Sequence, residues 1–189
     1  VTLGAITNAS ARDFTVGAGA GSINISGNIG SGVALGALTL NATGATTLGG
    51  TVNAASLSTD AGGGTTINGG SVTTSGAQSY GDTMTIGADT TLQSTGGDIS
   101  AAAITGAHAL TINNSGSGSA VSGVISSLTS LTKAGSGTLT LSGNNSFTGD
   151  VTVSTGTLSV TGNANALGQG AGKTIVSSSG TLNINALTG

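Results

Sequence analysis

A short phrase repeats near the C-terminal end of the chain, and it constrains the fold more than any other feature of the sequence. SGTLTLSGNN begins at Ser136, TGTLSVTGNA begins 19 residues later at Thr155, and SGTLNI begins after a further 24 residues at Ser179. Self-similarity at a period of about 20 residues indicates a stacked repeat. Each copy reads as a short strand that ends at Gly and Asn. The repeat therefore predicts a β-solenoid.

The composition suits a narrow coil of strands better than an ordinary globular domain. The 189 residues include 36 Gly and no Pro, Cys, Trp or Glu, and only 5% are charged, against about 25% in a typical domain. Such a composition also raises the possibility of disorder. Mean hydropathy of +0.31, a net charge of only −3 and recurrent alternation of Leu, Ile and Val argue against disorder.

Helices and several function classes are disfavoured by the same residues. Gly costs about 1 kcal/mol per helical position relative to Ala, and the chain has no apolar run of about 18 residues that would predict a transmembrane segment. Arg12, Lys133 and Lys173 are the only fixed positive side chains, too few to follow a phosphate backbone, so nucleic acid is not an expected partner. The start at Val1, without Met or a signal peptide, predicts a mature segment or a piece of a longer protein.

Apolar residues at i and i+2 predict the strands, with each pair facing inward and the residue between facing solvent. Thr152 and Ser159 are examples of residues expected to face outward. The pairs are Phe14/Val16, Ile23/Ile25, Val33/Leu35, Leu38/Leu40, Met84/Ile86, Leu110/Ile112, Leu139/Leu141, Val151/Val153, Leu158/Val160 and Leu182/Ile184.

The fold prediction is all-β: a right-handed parallel β-helix of roughly nine coils of about 20 residues, with adjacent coils about 4.8 Å apart and a rod about 45 Å long. One continuous domain is expected over residues 1–189, with residues 131–189 the most regular. No capping element is evident, which favours a segment of a longer fibre or subunits that stack end to end.

Equivalent residues of successive coils are expected to stack. Leu139, Leu158 and Leu182 should form part of one interior ladder. Asn144 over Asn163 should form an Asn ladder at a corner, since amide side chains stack in this way.

Residues 131–160, LTKAGSGTLTLSGNNSFTGDVTVSTGTLSV, resemble the passenger-associated transport repeat of bacterial autotransporters. The match fixes many positions at once, which makes it specific, although it covers about a sixth of the chain. The matching residues are Leu131, Lys133, Gly135, Gly137, Thr138, Leu139, Leu141, Gly143, Asn145, Phe147, Gly149, Val151, Val153, Gly156, Thr157 and Leu158.

The resemblance implies a secreted or surface-displayed parallel β-helix of a Gram-negative-type bacterium, exported through the outer membrane. Many passengers of this family act as adhesins or biofilm components. Residues 37–112 more loosely resemble the glycine- and threonine-rich coils of filamentous-haemagglutinin-like exoproteins.

Six carboxylates could in principle support catalysis. Asp60 and Asp82 are 22 residues apart, so they could align on successive coils as the paired acids of a polysaccharide-cleaving enzyme. Each Asp also sits at a turn signal, where local hydrogen bonding explains it, and this interpretation is favoured. The six are Asp13, Asp60, Asp82, Asp89, Asp98 and Asp150.

The remaining candidates are weaker. His108 is the only histidine and lacks partners for a metal site or a triad, and Gly96–Gly97–Asp98 is too short for a calcium nonapeptide. Lys133 could form an isopeptide bond with an Asn or Asp, but its place in the repeat already explains it. Five N-glycosylation triplets begin at Asn8, Asn24, Asn41, Asn113 and Asn144, and in such a sequence they arise by chance. No catalytic, cofactor or metal site is predicted.

The sequence thus predicts a structural, non-enzymatic segment of an extracellular or cell-surface adhesin or fibre that self-associates or contacts a host or matrix surface, forming filaments or biofilm matrix. Thr-x-Thr spacing at Thr83/Thr85, Thr138/Thr140 and Thr155/Thr157 raises the alternative of an ice- or glycan-binding face. A polysaccharide-degrading enzyme is the third hypothesis.

Overall fold

The computed structural model describes residues 1–185, in which all regular secondary structure is β. Residues 186–189, the end of the segment 131–189, lie outside the described residues. None of the described residues forms a helix that could cross a membrane. The strands are β1 (Thr2–Leu3), β2 (Phe14–Gly19), β3 (Ile23–Ile25), β4 (Leu35–Ala42), β5 (Ala45–Leu48), β6 (Val52–Thr59), β7 (Gly64–Ile67), β8 (Ser71–Thr74), β9 (Gln78–Ile86), β10 (Thr90–Ser94), β11 (Ile99–Thr105), β12 (Ala109–Asn114), β13 (Ser119–Val121), β14 (Ile125–Ser126), β15 (Ser130–Ala134), β16 (Thr138–Leu141), β17 (Asp150–Thr161) and β18 (Thr174–Asn185).

The strands pair in parallel with strands of the next coil. β2 pairs with β4, β3 with β5 and β12 with β15, each partner lying about one coil further along the chain. This arrangement repeats through about nine turns. The predicted all-β fold of stacked parallel coils is therefore confirmed.

The strand register stacks aliphatic side chains into interior ladders. Leu139 pairs with Leu158 and Leu158 with Leu182, which confirms the ladder expected from the repeat. A contiguous apolar core runs from Val16 to Ala166. Since each coil contributes only a few inward side chains, a chain rich in Gly, Ser and Thr can still fill its interior.

Three details of the predicted alternation are wrong. Val33 is 38% exposed because it lies in the turn before β4, and the inward alternation begins only at Leu35. Ile184 is 56% exposed because β18 has a strand partner on one side only among the described strands. Ser159 is 9% exposed, since this short side chain lies between Thr140 and Asn183 in its ladder.

Candidate functional site

The segment 131–160 places a lysine inside the coil. Lys133 lies in β15, where its backbone pairs with Ile112 and Val153 in an otherwise aliphatic interior column. It is fully buried, and its Nζ donates to the carbonyl oxygens of Ala134 at 2.6 Å, Gly135 at 2.8 Å and Thr155 at 3.4 Å. The ammonium therefore links the carbonyls of two successive coils at one corner.

Glycines of the repeat make room for this lysine. Gly135 and Gly156 have φ values of +77° and +69° at the corner, a region that side chains rarely adopt. A Cβ on Gly156 would lie 2.3 Å from the oxygen of Gly135 and 2.9 Å from Nζ of Lys133. Lys133, Gly135 and Gly156 of the repeat thus pack together at one corner of the coil.

Burial lowers the pKa of Lys133 to about 8, since desolvation disfavours the ammonium. All three hydrogen bonds of its Nζ end on main-chain oxygens rather than on an Asn or Asp side chain. The geometry thus supports a hydrogen-bonding role at the corner, and within residues 1–185 no Asn or Asp side chain is hydrogen-bonded to the amine.

Asn145 bridges three successive coils. Its buried side chain accepts from the backbone N–H of Ile125 at 2.8 Å and donates to the carbonyl of Ala166 at 2.6 Å. These two partners lie 20 residues before it and 21 residues after it. A primary amide can accept with its oxygen and donate with its nitrogen at the same time without carrying charge.

Asn144 does not stack with Asn163 as predicted; its side chain has other partners. Asn144 Oδ1 accepts from the side chains of Asn165 at 2.9 Å and Gln169 at 3.3 Å. Asn163 instead accepts from the backbone N–H of Asn165 with its own Oδ1. The chain turns tightly at residues 163–168, which moves the amide ladder two residues along.

A polar corner column, Thr74, Ser94 and Asn114, was not anticipated from the sequence. The three stack in register at the ends of β8, β10 and β12. Thr74 donates to Gly76 O at 2.6 Å, Ser94 Oγ accepts from the N–H of Gly97 at 2.9 Å, and Asn114 Nδ2 donates to Gly116 O at 2.7 Å.

The signal for this column is visible in the sequence once it is known. Each member follows an inward aliphatic residue by two positions: Val72, Leu92 and Ile112. A polar residue at an inward position, followed within three residues by Gly, indicates a side chain that satisfies the corner backbone.

Four aspartates connect neighbouring coils rather than serving only their own turns. Asp13 accepts from Ala37 N at 2.7 Å, and the other three accept in the same way from a backbone N–H 20 to 23 residues later. The local-turn interpretation is therefore incomplete for this set. The other pairs are Asp89 with Ala109, Asp98 with Gly118 and Asp150 with Lys173.

The solitary histidine lies beside one of these acids. His108 Nδ1 is 3.6 Å from Asp89 Oδ1, and both side chains are substantially exposed. An exposed pair of this kind contributes little to stability.

Asp60 and Asp82 do come together from successive coils, as the sequence spacing suggested. Thr59 pairs with Tyr80, which brings Asp60 next to the start of the segment that holds Asp82. Asp82 is only 4% exposed, and burial followed by the charge of Asp60 raises its pKa, while the hydroxyls of Thr65 and Thr59 oppose the shift. Asp82 is buried and Asp60 is half-buried, so the two acids meet largely beneath the surface.

A hollow in the described part of the surface lies elsewhere, along the side of the coil that holds Phe147. Thr148, Gln169 and Thr174 contribute to its lining, together with several glycines. It contains no carboxylate or histidine, so it offers no acid–base pair.

Threonines form vertical columns on the outer faces. Thr91, Thr111, Thr132 and Thr152 pair in register through four coils. A second column on another face consists of Thr47, Thr66, Thr85 and Thr105. Threonines that are unevenly spaced along the sequence thus form regular columns, because the coils differ in length while the strands keep their register.

The comparison with protein families agrees with this geometry. The family model described as passenger-associated-transport-repeat matches residues 131–160. The segment is thus similar to passenger-associated transport repeats. Together with the β-solenoid around it, the repeat fits an autotransporter passenger segment. Neither curated proteins nor solved structures gave a match to the chain. The looser resemblance of residues 37–112 to filamentous-haemagglutinin-like exoproteins stays a prediction.

Proposed function

We propose that this chain is a structural segment of a secreted or cell-surface passenger, in a Gram-negative-type bacterium, whose task is to form a rigid rod. The observation that carries the proposal is that the buried polar residues of the repeat hydrogen-bond to the main chain of neighbouring coils. Lys133 and Asn145 are buried and bind main-chain groups of neighbouring coils. The polar groups of these two side chains bind neighbouring coils to each other, which suits a mechanical role rather than catalysis.

Adhesion, filament formation and a biofilm role are the finer parts of this proposal. Self-association is supported by β18, whose Ile175, Val176 and Ile184 are large exposed aliphatics on a strand with one partner among the described residues. Such an edge can pair with a further parallel strand, from a continuation of the chain or from another copy.

Electron microscopy of the purified chain tests self-association. We expect rods joined end to end, and we expect Ile175→Lys to shorten them. Thr132→Lys, on the side wall, is the matched control and should leave end-to-end assembly unchanged. Single rods of one length for the unmodified chain at high concentration would contradict the assembly proposal.

A glycan-binding side face is the second candidate. Gln93 and Asn113 lie two residues beyond Thr91 and Thr111 on the same strands, and they stack in register with each other and with Thr73 of β8. Hydroxyl and amide groups in parallel rows can hydrogen-bond to sugar hydroxyls, whereas an ice-binding array would favour Thr in both rows. Glycan-array binding that Thr111→Lys abolishes would support this function over the purely structural one.

We also propose that the segment is not an enzyme. Four of its six carboxylates accept backbone N–H groups of a following coil. Release of reducing sugar from bacterial polysaccharides by the purified chain, lost in Asp60→Asn or Asp82→Asn, would contradict this.

A further inference from the structure

Asp60 and Asp82 differ from the four aspartates that link the coils. No hydrogen bond from a neighbouring coil's backbone reaches either carboxylate in residues 1–185. Asp82 is buried, Asp60 and Asp98 are half-buried, and the other three aspartates are exposed. Asp82 Oδ2 accepts one bond, from Thr65 Oγ1 at 3.1 Å. A buried carboxylate with a second acid beside it is costly unless something compensates its charge.

Three oxygen atoms at this place are buried and have no hydrogen-bond partner: Thr59 Oγ1, Asp60 Oδ1 and Asp82 Oδ1. Thr59 is only 5% exposed, so solvent does not satisfy its hydroxyl. Thr59 and Asp60 end one coil, and Asp82 belongs to the next. Thr59 lies opposite Tyr80 and Asp60 lies against Gly81, so both groups are close to Asp82 in the next coil.

Within residues 1–185, no cationic side chain forms an ion pair with Asp60 or Asp82. The only ion pair within residues 1–185 joins His108 to Asp89. Lys133 donates to carbonyl oxygens of its own corner. Among the described residues, a buried and a half-buried carboxylate thus lie together without a cationic partner.

We propose that Thr59, Asp60 and Asp82 provide the side-chain ligands of a calcium site inside the coil. Carboxylate and hydroxyl oxygens are hard donors of the kind that Ca²⁺ prefers, and two carboxylates balance its double charge. Ca²⁺ tolerates irregular geometry and accepts backbone carbonyls, whereas Mg²⁺ demands a near-ideal octahedron. Extracellular modules bind Ca²⁺ with Kd values on the order of 10⁻⁴ to 10⁻³ M, and a site with few charged ligands belongs in that range.

Terbium luminescence tests the site directly, because Tb³⁺ replaces Ca²⁺ and is sensitised by a nearby tyrosine. Tyr80 is the only tyrosine of the chain, which has no tryptophan, and its strand neighbour in the preceding coil is Thr59. The full chain, first freed of metal with EDTA, should show Tb³⁺ emission on tyrosine excitation, and Ca²⁺ should displace it. Asp82→Asn should lower Ca²⁺ affinity at least tenfold, while the matched control Asp98→Asn should not change it.

Unfolding midpoints supply a second readout that does not depend on luminescence. In EDTA, Asp82→Asn should be at least as stable as the unmodified chain, because it removes a buried like-charge contact. In millimolar Ca²⁺ the order should reverse, since only the unmodified chain gains from binding. A reversal of this kind also shows that the variant folds.

Several results would overturn the proposal. Absence of Ca²⁺ binding up to 10 mM by calorimetry would do so, as would equal losses in Asp82→Asn and Asp98→Asn. Equal affinity for Mg²⁺ would contradict the assignment to calcium. A third result is an unfolding midpoint that does not change with Ca²⁺ but rises as pH falls. If Asp82→Asn removes this pH dependence, the two acids share a proton instead of binding a cation.

Discussion

Replacing Asn145 with alanine removes the side chain that joins three coils, and it tests the structural role of the repeat most directly. The backbone N–H of Ile125 and the carbonyl of Ala166 would each lose a short hydrogen bond, of 2.8 and 2.6 Å. Asn145 is fully buried, so water does not replace the lost partner in the folded chain.

The magnitude follows from these two groups. Leaving one buried backbone group unsatisfied costs about 1–3 kcal/mol, so the pair should cost about 2–6 kcal/mol. Asn144→Ala is the matched control, because Asn144 is exposed and its side-chain hydrogen bonds lie at the surface. Its cost should be about 0.5 kcal/mol, as for most surface substitutions.

Urea unfolding followed by circular dichroism measures the difference in stability. Amide exchange at Ile125 localises it, since this N–H should exchange faster in Asn145→Ala alone. Equal unfolding midpoints for the two variants, with unchanged exchange at Ile125, would refute the inference that Asn145 holds neighbouring coils together.

Three further predictions concern single groups. The pKa of Lys133 is about 8 in the folded chain and 10.5 when unperturbed, so the unfolded chain binds more protons between these pH values. The free energy of unfolding, measured by urea titration, should therefore rise from about pH 8 to 10. Lys133→Met should remove this rise. Burial raises the pKa of Tyr80 far above 10, so stability should fall again above pH 10, and Tyr80→Phe should remove the fall. Gly156→Ala should lower the unfolding free energy by more than about 1 kcal/mol, because Gly156 has a positive φ and close neighbours. For comparison, Asp150→Ala should lower it by about 1 kcal/mol or less, because Asp150 is an exposed hydrogen-bond acceptor.

Much of the architecture was predictable because a solenoid is built from local pattern. The alternation of Leu139 and Leu141, repeated at Leu158 and Val160, determines which side chains face inward. Strand pairing between successive coils then follows from the period of the repeat. The failures at Val33 and Ile184 arose where a turn or an edge interrupts that local rule.

The sequence by itself determined the coil period, the parallel stacking and the nature of the segment 131–160, since these depend on residue order along one strand. Only the tertiary structure decided where the polar groups go. The partners of Asn145 lie 20 and 21 residues away, and Asp82 meets Asp60 across a coil. Coils of unequal length shift the register of side chains at the corners, so contacts between coils depend on packing rather than on spacing alone.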